Sequence, residues 1–372
     1  MIGFYVHHHG RGHLTRTASV LRHLRTPAAV FTSADATGTD LSGARLVPLP
    51  LDTPAPAGEP LRPPHALHYA PVGVSGLRAR MAALARWAAR PGAGLLVVDV
   101  SVEVAAFGRL MSLPVVVMRQ HGRRTDDAHR LAYESAVALL APYPEALEDP
   151  TAPAWMRDKT IYAGGFSRYD GRSGNRPSND GRRVVVLSGG GGTGTPLRSV
   201  ARAARACPDW TWTVVGRTSG PDADLPANVE VAGWMADPFP LLLSADVVVA
   251  AAGHNATMEV AAARRPLIAL AEPRPFDEQL HKAEALEHAG LAVACTRWPH
   301  ADAWPALLDR ALGLDASRWA SVSDGHGAAR AARALDRLHD RFGASAAPAL
   351  PTPPLAASGR DAAGIARPIA AA

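Results

Sequence analysis

The stretch AAAGHNATMEVAAARRPLIALAEPRPFDEQLHKAEALEHAGLAVA, residues 250–294, decides how the rest of the chain is read. It continues the apolar run DVVVAAA (246–252), which closes on a glycine. A helix-like segment follows, then the apolar run PLIALA (266–271), a second helix-like segment and a third run, LAVACT (291–296). Short, fully apolar strands alternating with amphipathic helices imply a parallel sheet covered on both faces. In such folds ligands bind beyond the carboxyl ends of the strands, so the segments just after each run carry the chemistry.

The same rhythm extends outward in both directions. RVVVLS (183–188), WTVVG (212–216) and VEVAG (229–233) belong to the same half. The first half offers IGFYV (2–6), AAVFT (28–32), LLVVD (95–99), PVVVM (114–118), VALLA (137–141) and IYA (161–163), with helix-like segments at 14–25 and 76–89. YDGRSGNRPSNDGRR (169–183) has no period and reads as a linker. The expected fold class is therefore α/β, with two Rossmann-like doubly wound parallel-sheet domains and a cleft between them. Their expected limits are 1–168 and 183–344, joined by a linker at 169–182 and followed by a disordered Ala/Pro-rich tail at 345–372. The Pro/Gly-rich residues 50–64 are expected to form a long surface loop.

Composition narrows the class of function. The chain has 372 residues, 47% hydrophobic and 20% charged, with a formal net charge of +5. Lysine is almost absent, and no Lys/Arg-dense block or aromatic-interleaved basic stripe supports a nucleic-acid partner. Cys207 and Cys295, far apart and without CxxC spacing, exclude a disulfide framework or a structural zinc site. MIGFYV is too short and unflanked for a signal peptide, and no run reaches the roughly 18 apolar residues that a spanning helix requires. The expected location is cytoplasmic, or at most peripheral at the inner face of a membrane.

Two strand exits in the second half suit an anionic ligand. SGGGGTGT (188–195) places Gly190, Gly191, Gly192 and Thr193 where backbone N–H groups can approach a phosphate, although a plain flexible turn reads the same way. No GK[ST] follows, so it is not a Walker loop. Gly253, His254, Asn255, Ala256 and Thr257 open a helix, whose unpaired N–H groups and dipole favour a phosphate. Glu259, further along that helix, can bond ribose hydroxyls; Asp277, Glu278 and Gln279 lie at the mouth of the next helix and suit sugar hydroxyls. Asn255 and Asp277 are equally good helix N-caps.

The pattern G-x-N-x-T-x-E, a strand, a proline, then D-E-Q-x-x-x-A-x-x-L-x-x-x-G resembles the donor-binding domain of family 28 glycosyltransferases. That group includes the MurG-type N-acetylglucosaminyltransferases of lipid-linked peptidoglycan precursors. VEVAGWMADPFPLLLSADVVV (229–249) is similar to the same domain. The resemblance is good over 183–295 and weaker in the first half. It implies the GT-B fold with a nucleotide-sugar, a UDP-sugar, in the second domain. By that resemblance Gly253 to Thr257 would meet the diphosphate, Glu259 the ribose, Glu278 and Gln279 the donor sugar, and Gly233, Trp234 and Met235 the base. Trp234 reads equally well as a core residue. Where the family often has two glutamines this chain has Glu278-Gln279, which leaves the donor sugar open. No metal and no cofactor are expected, because a helix N-terminus and backbone amides can take the charge of the departing diphosphate.

VHHHGRGHLTRT (6–17) is the first-domain counterpart. Gly10, Gly12, His13 and Arg16 are similar to the opening loop of the same family, which would face the donor phosphates. Transfer to a hydroxyl needs a base, and histidine suits that task. At a helix N-terminus the neutral ring is favoured, so His13 is the expected base, with Asp99 at the end of LLVVD as its orienting carboxylate and His9 as runner-up. Asp99 also reads as an N-cap. Metal binding by His7, His8 and His9 is disfavoured because side chains diverge along an extended segment. In MRQHGRRTDDAHR (118–130), Arg119, His121, Arg124 and Asp126 are expected to bind the acceptor; a solvated helix start is the alternative, and the histidine–aspartate spacing matches no strong metal motif. The helix at 76–89, with Arg78, Arg80 and Arg86 opposite Leu77, Met81 and Leu84, suits peripheral membrane contact or packing on its own sheet.

The chain thus reads as an inverting, metal-independent glycosyltransferase of the hexosyltransferase kind. It would move a hexose or N-acetylhexosamine from a nucleotide-sugar to a hydroxyl acceptor, lipid-linked in the family it resembles. The rival readings are a nucleotide-sugar hydrolase or 2-epimerase on the same fold, and a non-catalytic nucleotide-sugar-binding subunit.

Overall fold

The computed structural model describes residues 1–53, 62–172, 174, 181–189, 194–220 and 224–343. Gly190, Gly191, Gly192 and Thr193, the tail 345–372, and parts of the 50–64 loop and of the linker lie outside the described residues.

Seven strands form the first sheet: β1 (Ile2–Val6), β2 (Ala28–Thr32), β3 (Arg45–Pro48), β4 (Leu95–Asp99), β5 (Val115–Met118), β6 (Ala138–Ala141) and β7 (Thr160–Tyr162). Their order is β3-β2-β1-β4-β5-β6-β7 and every pairing is parallel. The second half contains β8 (Arg183–Leu187), β9 (Thr195–Pro196), β10 (Thr211–Val215), β11 (Thr218–Ser219), β12 (Val229–Gly233), β13 (Val247–Ala251), β14 (Leu267–Leu270) and β15 (Ala292–Cys295). Six of these make a parallel sheet in the order β12-β10-β8-β13-β14-β15, while β9 and β11 pair separately. Both sheets are the doubly wound architecture expected. The apolar runs became strands because both faces are covered: β1, β2 and β4 are buried at every position. β3 escaped notice because it is an edge strand with three of its four residues exposed.

Strand order reverses between β1 and β4 in one sheet and between β8 and β13 in the other, the two places where a crevice opens. Register sets what meets there. Val6 pairs with Asp99, so the histidine segment leaves the sheet beside that carboxylate. Ala250 pairs with Leu187 and Ala251 with Leu270, which gathers the loops after β8, β13 and β14.

One element lies where its sequence position did not suggest. Helix Gly327–Gly343 falls within the stretch assigned above to the second domain, yet it packs on the first. Ala328, Ala331, Ala332 and Leu335 enter the same core cluster as Ile2, Val20 and Leu95. Asp336 accepts hydrogen bonds from the Arg25 and Thr26 backbone N–H groups (3.2 and 3.0 Å) and from the Thr26 hydroxyl (2.7 Å).

Helix Ser75–Ala88 buries Leu84 and Trp87 on the first sheet. Arg80 is not on its solvent face as the sequence suggested. Its guanidinium is buried, 3.1 Å from Asp52 and bonded to the Ser33 hydroxyl and the Pro50 carbonyl. The helix sits so close to the 49–53 segment that a Cβ at Gly76 would lie 1.8 Å from the Leu51 carbonyl oxygen. Gly76→Ala should therefore cost roughly 1–3 kcal/mol of stability through overpacking. A lower urea midpoint with unchanged slope is the expected result. Among the described residues no helix is long and apolar enough to cross a membrane.

Candidate active site

The carboxyl edges of the two sheets face one another across a cavity of about 900 Å³. The histidine segment and the start of helix Gly12–Leu21 form one wall; Gly189, Gly194, Trp234 and the N-terminus of helix His254–Ala263 form the other. The Asn255 side-chain amide donates to the Gly12 carbonyl (3.2 Å), fastening the two walls to each other.

His13 Nδ1 lies 3.2 Å from Asp99 Oδ1, and Arg16 Nη2 lies 2.5 Å from the same oxygen. Burial pushes the Asp99 carboxyl up, but the Arg16 guanidinium and His13 override it and hold it at about 2. The permanent anion selects the tautomer: Nδ1 carries the hydrogen and donates, which leaves the lone pair on Nε2. Arg16 Nη2 is also 3.2 Å from Nδ1, and since both then carry hydrogens that contact is a shared grip on Asp99. His9 is exposed, and the described contacts of its ring are with His7 and His8. The His7 and His8 rings stack at 4.8 Å, and burial together with the neighbouring histidines pushes His7 down to about 4, so it stays neutral.

On the second wall, helix His254–Ala263 begins at Gly253 with no side-chain cap. Its first N–H groups therefore face the cavity without an internal partner. His254 and Ala256 line the cavity there. Thr257 does not: it is buried, and its hydroxyl closes back on the Gly253 carbonyl (2.8 Å). Glu259 lines the cavity and accepts from Arg168 Nε (2.9 Å), while Arg168 Nη1 donates to the Ala236 carbonyl (2.9 Å). Burial raises the Glu259 carboxyl, and Arg168 opposes the shift. Trp234 is 62% exposed on the cavity rim, and Met235 also lines the cavity while packing on the second-domain core.

Phe276 and Asp277 both take positive φ (62° and 52°), a tight corner, and contrary to expectation Asp277 does not line the cavity. Asp277 makes no capping bond either. Glu278 and Gln279 line the cavity as expected. Glu278 Oε2 accepts from Arg124 Nη2 of the first domain (3.2 Å), and Gln279 Oε1 accepts from the Glu272 backbone N–H (3.0 Å). One turn on, Lys282 is buried; that burial pushes its amine down to about 7, with Glu278 opposing and Arg16 adding to the effect.

The four expected acceptor residues divide. Arg119 turns away from both cavities into a buried ion pair with Glu148 (2.5 and 3.0 Å), where the Tyr162 hydroxyl also donates (2.9 Å). His121 likewise lines neither cavity, and its ring lies 4.1 Å from that of Tyr143. Its Nε2 is buried without a partner, and burial carries its pKa well below the ordinary histidine value. Arg124 lines both the main cleft and a second cavity of about 250 Å³ that opens from it beneath His9. Asp126 caps helix Asp127–Ser135 and holds two histidines, His129 (2.6 Å) and His68 (2.7 Å). Among the described residues this trio is where ligand atoms of His and Asp converge, all within 4.8 Å. The rings of His7, His8 and His9 do not diverge as the sequence suggested but cluster with centroids 4.8 Å apart.

Sequence reasoning missed His68, Arg168 and Lys282. His68 follows the Pro-rich loop and Arg168 adjoins the linker, both without periodicity, and Lys282 lies in an ordinary helix pattern.

No protein-family model matches the chain. Among solved structures it is similar to the glycotransferase of kitacinnamycin (TM-score 0.68, 17% identity, covering 91% of this chain and 98% of that one). The spinosyn forosaminyltransferase SpnP (0.66, 15%, 91% and 99%) and MurG of Acinetobacter baumannii (0.55, 16%, 92% and 99%) are also similar. The chain has the GT-B fold that these glycosyltransferases share. Two curated proteins described as uncharacterized glycosyltransferases also match. One, from Methanosarcina mazei, is 34% identical over 118 residues, 29% of this chain and 30% of its own length. Another, from Methanosarcina acetivorans, is 25% identical over 187 residues, 47% and 48%. The matched stretches thus span less than half of those relatives.

Proposed function

We propose that the protein transfers a glycosyl group from a nucleotide-sugar, a UDP-linked hexose or N-acetylhexosamine, to a hydroxyl acceptor. The observation that carries this reading is the His13–Asp99 pair, set across one cavity from an uncapped helix N-terminus. The first is an oriented base and the second a seat for a diphosphate.

In the proposed step the acceptor oxygen forms a bond to the anomeric carbon while its proton passes to His13 Nε2. The bond from that carbon to the diphosphate oxygen breaks, and the electron pair leaves with the nucleoside diphosphate. The imidazolium that forms is stabilised by anionic Asp99, and the negative charge on the leaving group by the N–H groups at His254–Ala256. Because base and diphosphate seat lie on opposite walls, attack comes from the face away from the leaving group and the anomeric centre inverts. These elements supply what a cation would otherwise provide. Glu259, steadied by Arg168, suits the ribose, Trp234 the base and Glu278 with Gln279 the sugar. Arg78 and Arg86 remain exposed on helix Ser75–Ala88, while Leu84 is buried on its own sheet and Leu77 and Met81 line the second cavity, which favours the packing alternative for this helix over membrane contact.

The test is calorimetric titration with a panel of nucleotide-sugars while nucleotide release is followed in the same samples. Tight binding with trace release is expected of a transferase without its acceptor. Rapid release in water would make the protein a hydrolase, and binding of none would overturn the reading.

A further inference from the structure

We infer that His68 reads the acceptor, and that the acceptor is a compact aromatic alcohol carrying a second hydrogen-bond donor. The inference rests on the transferase reading for the identity of the attacked hydroxyl, but its recognition chemistry stands on the second cavity.

That cavity, about 250 Å³, shares His7, His9, Gln120, Arg124 and Phe276 with the main cleft, so its occupant reaches the donor. A site of this size holds one substituted ring: a pocket of roughly 150 Å³ takes benzene. Its inner walls are Leu77, Met81, Val102, Val104 and Tyr133. Asp52, Thr53, Ser101 and Glu103 also line it, but Asp52 is paired with Arg80, and Glu103 accepts from the His68 and Tyr69 N–H groups and the Ser101 hydroxyl. A sugar there would compete for groups already engaged, at a cost of roughly 1–3 kcal/mol for each hydroxyl left without a partner. An aromatic ring loses nothing by such burial.

Among the polar side chains of the wall, the state of His68 follows from a chain of hydrogen bonds. A guanidinium can only donate, so Arg124 Nη1, 3.2 Å from His129 Nε2, makes that nitrogen the acceptor. The hydrogen of His129 is then on Nδ1 and points at Asp126 Oδ2 (2.6 Å). Burial would raise the Asp126 carboxyl, but its bonds from His129 and His68 hold it far below the ordinary range, as an anion. His68 Nε2, 2.7 Å from Asp126 Oδ1, must therefore carry its hydrogen, which leaves the lone pair of His68 on Nδ1.

The position of His68 is held as firmly as its tautomer. Its backbone N–H and that of Tyr69 both donate to Glu103 Oε1 (2.7 and 2.8 Å). Phe276, from the second domain, lies against the rings of His68 and His129 (5.3 and 4.7 Å). Phe276 also accepts from the Arg123 backbone N–H through its carbonyl (3.0 Å), and Arg124 reaches Glu278. The acceptor wall is thus anchored to the donor domain, and a ring donor can bond to a pre-set nitrogen.

The same trio has the composition of a divalent-cation site, and the relay argues against that use. A metal ligand must be unprotonated, whereas Arg124 keeps the hydrogen of His129 on the nitrogen that faces Asp126.

The experiment titrates the full chain calorimetrically with phenol, 1,3-dihydroxybenzene, methyl glucoside and Zn²⁺, and repeats it with His68→Ala and His68→Gln. Where a donor is found, products with each alcohol are measured as kcat/KM. We expect the dihydroxybenzene to be favoured over phenol about tenfold, the strength of one net hydrogen bond. His68→Ala should collapse that ratio toward one with nucleotide-sugar affinity unchanged, and His68→Gln should restore part of it. A ratio unaffected by His68→Ala, a preference for methyl glucoside, or tight Zn²⁺ binding lost in His68→Ala would each overturn the inference. Failure of nucleotide-sugar binding, by contrast, would strike the transferase reading and leave the dihydroxybenzene binding ratio to decide this one.

Discussion

Turnover of His13→Ala should fall by roughly 10²–10⁴ while nucleotide-sugar affinity stays within a few-fold, the scale of a lost general base. The split follows from the geometry. In the proposed step His13 Nε2 takes the proton, whereas the proposed diphosphate seat is the backbone at 253–256 on the other wall. A wild-type rate in this variant would remove His13 from the mechanism, and a matching loss of donor affinity would make it a binding residue. Asp99→Asn is the less clean companion. It would slow turnover by releasing the His13 tautomer, but it would also leave Arg16, itself buried, without its counter-charge. Asp99 also has a pH signature. Its folded value of about 2 lies below the ordinary 3.8, so its stabilisation is complete above the unfolded value and is lost as pH falls through that window.

Arg119→Ala should destabilise the fold by roughly 3–5 kcal/mol, because it strands Glu148 in the interior. Both partners are about 5% exposed, and the Tyr162 hydroxyl depends on the same carboxylate. The urea midpoint reads the loss. Replacing Arg119 and Glu148 together with Met and Leu should recover most of it, since removing a buried pair as a unit leaves no lone charge. The folded fraction of Arg119→Ala should keep its acceptor KM, which separates this role from the acceptor contact that the sequence suggested. A raised acceptor KM at unchanged stability would reverse that assignment.

The contrast between these two arginine- and histidine-bearing segments shows what a sequence carries. The histidine loop was legible because its chemistry is set locally: a strand, two glycines and a helix start aim His13 at the strand edge, and a neighbouring strand ending in Asp99 meets it in register. The Gly253 helix was legible for the same reason. In the 118–130 segment composition pointed to a site, but which way each side chain faces depends on partners distant in sequence. Glu148 claimed Arg119, and Glu278 helped to claim Arg124. His68 had no local signal at all, since its role comes from Asp126, Glu103 and Phe276. Domain limits failed to show the return of the last helix because amphipathicity says that a helix packs, not against which sheet.

That last helix has a practical consequence for building hybrids. A chimera that exchanges donor specificity by swapping everything after residue 182 would replace Ala328, Ala331, Ala332 and Leu335, and with them part of the recipient's first-domain interior. The junctions that respect the packing are two, one in the linker and one just before Gly327, so that 183–326 moves as a cassette and 327–343 stays with its host. By the same logic, residues 1–168 produced alone should expose an apolar groove beside β1 and aggregate, and adding the 327–343 peptide in trans should bring them back into solution.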